Sequence, residues 1–318
     1  MKQFKNKYKK AMVTGGAGFI GSHIIEDLLK IGVDVISVDD YSAGKPENLK
    51  PFETHPNLTI VKADISKREQ IEPYFEGVDI IFNNAASKKN ICLKNPHRDL
   101  EVNSGGILTM LELAKKYGIK KFVHASTGSV YGEPIHFPQT EEHPLDPVSY
   151  YGVSKLAGER YVILYSKLFD LNTTCLRYFH VYGPRQESNE FGGVCSIFIR
   201  NMMEGTDLTI FGDGTQERSF TWVKDIVKAN FIVALNKQTN GQCYNCASGI
   251  NVTINELAKF IKQNMNSPLE NKIVHGDWLI GDIKKFDVSN KKISDLGLNF
   301  SKDFWEKLKI TITEMQDK

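Results

Sequence analysis

The sequence predicts an α/β fold of Rossmann type, a doubly wound parallel sheet accompanied by a smaller, discontinuous α/β substrate domain. Three observations predict it. A short apolar strand at Lys10 to Thr14 runs into the turn Gly15-Gly16-Ala17-Gly18-Phe19-Ile20-Gly21 and then into apolar residues at helical spacing, which makes a βα unit. Strand-like and helix-like stretches then alternate, the rhythm of a parallel sheet covered on both faces. After Arg177 the rhythm breaks into short elements mixed with loops such as Gly183-Pro184-Arg185 and Gly212-Asp213-Gly214.

The elements follow in order. Lys2 to Lys10 carries five lysines and reads as a solvated tail leading into the first strand. Phe19 to Ile31 reads as a helix, and Val33 to Val38 as a strand ending in Asp39-Asp40. Further strands are expected at Leu58 to Val61, Asp79 to Asn83, Lys121 to Ala125 and Thr173 to Arg177. Helices are clearest at Leu100 to Tyr117 and Ser149 to Phe169. Cys243-Tyr244-Asn245-Cys246 fits C-x-x-C, yet Gly241 to Ala247 reads as a buried strand, on which residues three apart face opposite ways. Zinc needs two such pairs or added His ligands, so a structural role is expected and no metal site. The expected division is a cofactor domain of residues 8–180 and 224–245 and a substrate domain of residues 181–223 and 246–318.

With 318 residues, 41% hydrophobic and 25% charged, the chain is long enough for a large core. A net charge of +2 gives no reason to expect nucleic acid or an anionic membrane, because both select concentrated basic surface. The apolar run beginning at Ala11 breaks at once into glycines, too short for a signal peptide or a membrane span. Five scattered cysteines, an odd number, point to a reducing cytoplasm.

In Gly15-x-x-Gly18-x-x-Gly21 the glycines permit a tight turn, let a pyrophosphate approach main-chain N–H groups, and let the helix pack on the strand. Asp39 stands 18 residues beyond Gly21, at the end of the second strand. A carboxylate there accepts hydrogen bonds from ribose hydroxyls and repels a 2′-phosphate, so NAD is expected over NADP. Downstream, Tyr151 and Lys155 lie four apart and share a helix face. A cation about 4 Å from a phenol, at an effective dielectric of about 20, contributes roughly 4 kcal/mol and lowers the phenol pKa by roughly three units. The expected result is a phenolate acting as general base near neutral pH.

With the glycine turn, Asp39, Thr127, Tyr151 and Lys155 in this order, the chain resembles the extended short-chain dehydrogenase/reductases, specifically the NAD-dependent nucleotide-sugar epimerase/dehydratase family. Further segments that carry the likeness are Asn83-Asn84-Ala85-Ala86, Ala125-Ser126-Thr127-Gly128-Ser129-Val130-Tyr131-Gly132, Arg177-Tyr178-Phe179-His180-Val181-Tyr182-Gly183-Pro184-Arg185 and Gly281-Asp282-Ile283. The resemblance implies that Thr127 bonds the sugar hydroxyl, Tyr151 takes its proton, and Lys155 tunes Tyr151 while holding the nicotinamide ribose. It implies cofactor contacts from Gly15, Gly18, Phe19, Ile20, Gly21, Asp39, Asp40, Ser42, Gly44, Asp64, Ile65, Ala85, Ala86, Lys88, Asn103 and Tyr178. On the substrate side it implies His180, Phe211, Arg218 and Asp282, with Arg218 clamping the diphosphate. Family members commonly dimerise through two helices of each subunit, here Leu100 to Tyr117 and Ser149 to Phe169, so a homodimer or higher homo-oligomer is expected.

In the family's 4,6-dehydratases the Thr is followed by Asp and Glu, where this chain has Gly128 and Ser129. Gly has no side chain and Ser titrates far too high for acid–base work, so dehydration is not expected. The decarboxylases usually carry Glu at the position of Ser129. Two outcomes remain: a 4-epimerase that returns its hydride to the other face of a 4-keto sugar, which leads, and a C4 dehydrogenase that releases the keto product. A non-catalytic NAD-binding sensor is the reading from another class. His180 replaces the Asn usual in family epimerases, and Leu279 a common Arg. The nucleotide, UDP or GDP, and the sugar, a hexose or heptose, stay open.

Overall fold

The computed structural model describes residues 2–87, 89–189, 192–266, 270–278 and 285–317. Helix α1 (Lys2–Lys7) and strand β1 (Lys10–Thr14) are followed by α2 (Phe19–Lys30), β2 (Asp34–Asp39), β3 (Leu58–Lys62), α3 (Arg68–Ile71) and β4 (Ile80–Asn83). Next come α4 (Lys89–Lys94), α5 (Pro96–Leu100), α6 (Ile107–Lys116), β5 (Lys121–Thr127), α7 (Tyr150–Phe169), β6 (Thr173–Tyr178) and β7 (Val181–Tyr182). The rest is α8 (Val194–Glu204), β8 (Leu208–Phe211), β9 (Glu217–Ser219), β10 (Thr221–Trp222), α9 (Val223–Leu235), β11 (Gln242–Cys246), β12 (Asn251–Thr253), α10 (Ile254–Asn264), β13 (Ile273–Gly276), α11 (Lys291–Ser294) and α12 (Phe304–Gln316).

Seven strands pair in the order β3-β2-β1-β4-β5-β6-β11, every neighbour parallel. Such a sheet is buried on both faces, and β1 shows how. Ala11 and Val13 join the core under α2 and α9, while Met12 joins the opposite core under α6 and α7. The chain reverses its direction of winding between β1 and β4, and the crevice at the carboxyl ends of these strands is where an open α/β sheet takes its ligand. A third core forms away from the sheet, from Phe198 and Ile199 of α8, Leu208 of β8, Leu257 and Ile261 of α10, and Phe304 and Leu308 of α12. Three two-stranded ribbons, β7 with β10, β9 with β12 and β8 with β13, accompany that core.

Two expectations are corrected. Lys2 to Lys10 is not a solvated tail: it is α1 and the start of β1. The lysine count masks an aromatic pair four residues apart, Phe4 and Tyr8, both fully buried. Phe4 packs edge-on against Phe231 at 4.7 Å, and the Tyr8 hydroxyl donates to the Ala234 carbonyl at 2.6 Å. The helix expected at Leu100 to Tyr117 begins earlier, at Pro96, and winds as a π-helix over Glu101–Gly106 before α6. Gly106 closes this turn at a tight contact, since a Cβ there would stand 2.9 Å from the Ile65 side chain. In β11, Cys243 and Cys246 belong to opposite cores, as strand alternation requires.

Candidate functional site

A cavity of about 500 Å³ opens at the carboxyl ends of the strands, on both sides of the β1/β4 crevice. Its wall contains Gly15, Gly18, Phe19, Ile20 and Gly21 from the turn after β1, Asp39, Asp40, Ser42 and Gly44 after β2, and Asp64 and Ile65 after β3. Ala85 and Ala86 after β4, Thr127 closing β5, Tyr151 and Lys155 on α7, and Tyr178 and His180 around the end of β6 line it as well. Lys88 and Asp282 lie outside the described residues, as do Leu279, Gly281 and Ile283. Asn103, Phe211 and Arg218 are described and do not line the wall.

The turn depends on its glycines. Gly15 adopts φ +63°, and a Cβ there would meet the Ala85 backbone nitrogen at 2.9 Å; one at Gly21 would meet the Gly15 carbonyl oxygen at 2.1 Å. The strand and helix therefore close on each other, with the Gly16, Ala17 and Gly18 N–H groups bonded to Val38, Asp39 and Gly15, while the first N–H groups of α2 have no intrahelical partner and suit an anion. Asp39 shapes the same turn. One carboxylate oxygen accepts from the Ala17 N–H at 2.9 Å and the other from the Tyr41 N–H at 2.8 Å. Burial pushes its pKa up and these two bonds pull it back.

Thr127 ends β5 and caps the short turn Gly128–Val130, accepting from the Ser129 N–H at 3.1 Å. Across from it, α7 starts at a Ser149 cap whose hydroxyl accepts from the Gly152 N–H at 3.1 Å, and Tyr151 stands in its first turn. Lys155 sits one turn on, with its ammonium donating to the Ala125 carbonyl at 2.6 Å. The expected phenolate is not what this arrangement gives. Burial pushes the Tyr151 phenol up to about 12, the nearby Asp99 carboxylate pushes the same way, and the neighbouring Thr127 hydroxyl opposes them. Lys155 shares a helix face with Tyr151, but its charge is spent on Ala125, and burial lowers its pKa to about 8.

The family model for the NAD dependent epimerase/dehydratase family matches residues 11–247. The chain belongs to this family. A UDP-glucose 4-epimerase of Mycolicibacterium smegmatis is 35% identical over 90% of this chain and 92% of its own length. Among solved structures, the UDP-glucose 4-epimerase of Thermotoga maritima with UDP-glucose superposes at TM-score 0.90 and 35% identity, covering 97% of this chain and 99% of that one. The Thermus thermophilus UDP-glucose 4-epimerase complex with NAD superposes at 0.87 and 31% identity, over 96% and 99% of the two chains. Family relatives with other outcomes match as well, including a UDP-glucuronic acid decarboxylase and a dTDP-glucose 4,6-dehydratase.

NAD is the family's cofactor, and this chain's wall fits it: a glycine cradle that a Cβ would fill, and a carboxylate fixed at the end of β2. Asn103 acts one layer behind the wall. It accepts from the Ser87 N–H at 2.9 Å and donates to the Ser87 carbonyl at 3.0 Å and the Ser154 hydroxyl at 3.2 Å, tying a wall residue to α7. Arg218 is nearly buried, 5.5 Å over the Phe286 ring, and His180 packs edge-on against the same ring at 4.7 Å. His180 also holds φ +35°, a costly conformation for a residue with a side chain. The sequence did not expose Ser87, Arg98, Gln186 or Glu187 as wall residues. For Arg98 a signal existed: Asn95-Pro96 is a helix start with the cap and the N1 proline in place, which puts Arg98 in the first turn.

Proposed function

We propose that this protein is an NAD-dependent nucleotide-sugar 4-epimerase that oxidises C4 of a UDP- or GDP-linked sugar and restores the hydride to the opposite face. The observation that carries this reading is the sharing of one cavity wall by Thr127, Tyr151, Lys155 and the glycine turn. A sugar hydroxyl that reaches Thr127 also meets Tyr151, because both side chains line the same stretch of the cavity wall. With its phenol pushed up to about 12, Tyr151 holds its proton, so positive charge beside it must first draw that proton off to solvent and leave the phenolate that can take one from the sugar. NAD, when bound, supplies a cationic nicotinamide that takes the C4 hydride and gives it back. As phenolate, Tyr151 would take the hydroxyl proton from O4 and return it, and Lys155, oriented by its bond to the Ala125 carbonyl, would hold the nicotinamide ribose.

Dehydration is disfavoured by the space around Gly128. A Cβ at this position would lie 2.4 Å from the ring of Phe179, which is itself buried, so an acidic side chain there displaces a core aromatic. The neighbouring Ser129 hydroxyl is engaged by Thr127 at 3.3 Å and has no titration in the useful range. We assign the sheet with α9 and β11, residues 8–180 and 224–245, to the cofactor, and residues 181–223 and 246–318 to the sugar nucleotide, with His180 and Arg218 meeting at Phe286 on that side. The chain acts as a homo-oligomer through α7, whose outer face exposes Tyr150, Val153, Tyr161, Leu164 and Leu168 at helical spacing. Five buried cysteines, none in a disulfide, suit a cytoplasmic protein making precursors for glycan synthesis.

The test is incubation of purified protein with UDP- and GDP-linked hexoses and heptoses, without added NAD. Formation of the C4 epimer over many turnovers is expected. Stoichiometric NADH and a keto product that needs an electron acceptor for turnover would instead identify a dehydrogenase. Tyr151→Phe is expected to lower kcat by at least about 100-fold while NAD binding persists.

A further inference from the structure

Arg98, on the first turn of α5, reaches across the cavity wall to the loops that follow β2 and β3. One guanidinium nitrogen lies 2.7 Å from Asp64 Oδ2 and 3.1 Å from Asp40 Oδ2. The other lies 2.9 Å from Glu101 Oε2 and 3.3 Å from the Ser66 hydroxyl. The two aspartates are held in place by their own turns. Asp40 Oδ1 accepts from the N–H and hydroxyl of Ser42 at 2.9 and 2.6 Å, and Asp64 Oδ1 accepts from the N–H and hydroxyl of Ser66, both at 2.8 Å. The backbone of Arg98 is fixed too, because Asn95 caps its N–H at 3.1 Å.

Arg98, Asp40 and Asp64 all belong to the wall of the NAD cavity, on the β2/β3 side where Asp39 stands. In the sheet β2 is three places from β5, so the end of β2, where Asp40 follows, is about 14 Å from the strand that ends in Thr127. The cluster stands on the side of the cavity where Asp39 would meet the adenosine ribose of a bound NAD. The cation is also saturated. Asp40, Asp64 and Glu101 surround it, with Lys67 paired to Glu101, so the cluster holds three carboxylates against two cations and offers nothing to a 2′-phosphate.

We propose that Arg98 is a positioning residue that clasps the adenosine side of the cavity and sets how long NAD stays bound. Three separate chain segments form the rim there, and a single planar fork joins them in a geometry that a flexible ammonium does not reproduce. The demand for such a clasp rests on the epimerase reading: an enzyme that returns its hydride must keep the reduced cofactor through every turnover, whereas a dehydrogenase must let it go.

The experiment follows labelled NAD, loaded on the full-length protein and chased with unlabelled NAD in the absence of sugar. Arg98→Met is expected to release the label at least tenfold faster than the natural sequence, with Arg98→Lys in between. Raising NaCl from 50 to 500 mM is expected to speed release from the natural protein several-fold and to leave Arg98→Met unchanged, because exposed ion pairs are screened by salt. Glu101→Gln removes one anchor at the surface and is expected to speed release two- to threefold, which keeps the test in hand should Arg98→Met fold poorly. Equal release from all variants, or an equal salt response in the natural protein and Arg98→Met, overturns the clasp. No sugar enters this measurement, so failure of the clasp and failure of the epimerase reading, which shows as no C4 epimer, are separate results.

Discussion

Tyr151 and Lys155 illustrate how far single residues can be read. Their spacing places both on one face of α7 and in one cavity wall, and that much needs only helical periodicity. The electrostatics did not follow, because the pKa of a phenol depends on which acceptor captures the nearby ammonium and on burial by distant segments. The same physics acts at Lys121, which is fully buried at the start of β5 with no carboxylate partner among the described residues. Its ammonium contacts Asn172 Oδ1 at 2.7 Å, Thr174 Oγ1 at 2.7 Å and Thr239 Oγ1 at 3.0 Å, and burial lowers its pKa from 10.5 to about 7. In the unfolded chain the side chain keeps its proton up to the ordinary value. Below pH 7 both states are protonated and the full penalty is present. Above pH 7 the unfolded state holds a proton that the folded state has released, so stability rises with pH. Between pH 7 and 8.5 the natural protein is expected to gain about 2 kcal/mol relative to Lys121→Met, read as the difference in urea unfolding free energy between the two proteins. A difference that stays flat across this window would mean that the three acceptors hold the ammonium charged.

The catalytic candidates sit on different elements, so their mutual geometry depends on how α7 is joined to β5 and β6. Glu159, one turn beyond Lys155, receives both arms of Arg177 from β6, at 2.6 and 3.0 Å, and the Ser126 hydroxyl from β5 at 2.7 Å. Ser126 is the neighbour of Thr127, so this buried fork fixes the strand carrying Thr127 to the helix carrying Tyr151. Glu159 and Arg177 side chains are 0% and 3% exposed, which makes loss of one partner costly. Glu159→Gln keeps the shape and leaves Arg177 without its counter-charge; a loss of about 3–5 kcal/mol is expected in denaturant unfolding. A fall in kcat well below the melting range, with KM little changed, is expected as well, since the fork aligns Thr127 with Tyr151. Unchanged kcat would restrict the pair to a structural role. Sequence periodicity revealed α7, β5 and β6, while the fork joining them is a long-range contact that no local pattern encodes.

At the scale of the whole molecule, the cofactor half was legible because its signals are local: apolar strands, glycine turn, amphipathic helices and an acid closing β2. The packing beyond the sheet was less so, because Arg218 and His180 both lie against Phe286, far from both in sequence, and α1 was missed because its two buried aromatics were outnumbered by lysines. The same contrast bears on assembly. The inner face of α7 carries Lys155 and Glu159 into the core, while its outer face leaves Leu164 and Leu168 43% and 62% exposed. Leu93 and Leu100, on α4 and α5 against the same helix, extend the apolar surface. Exposed leucines on both sides of one helix seam are costly in water, and a second copy related by a twofold axis covers them with the same surface, which is how most homodimers close. Leu164→Glu combined with Leu168→Glu puts like charges opposite each other across that axis. The natural protein is expected to sediment as a dimer or larger at micromolar concentration and the double variant as a monomer with its NAD still bound. A natural protein that sediments as a monomer, or a double variant that does not dissociate, would remove α7 from the interface.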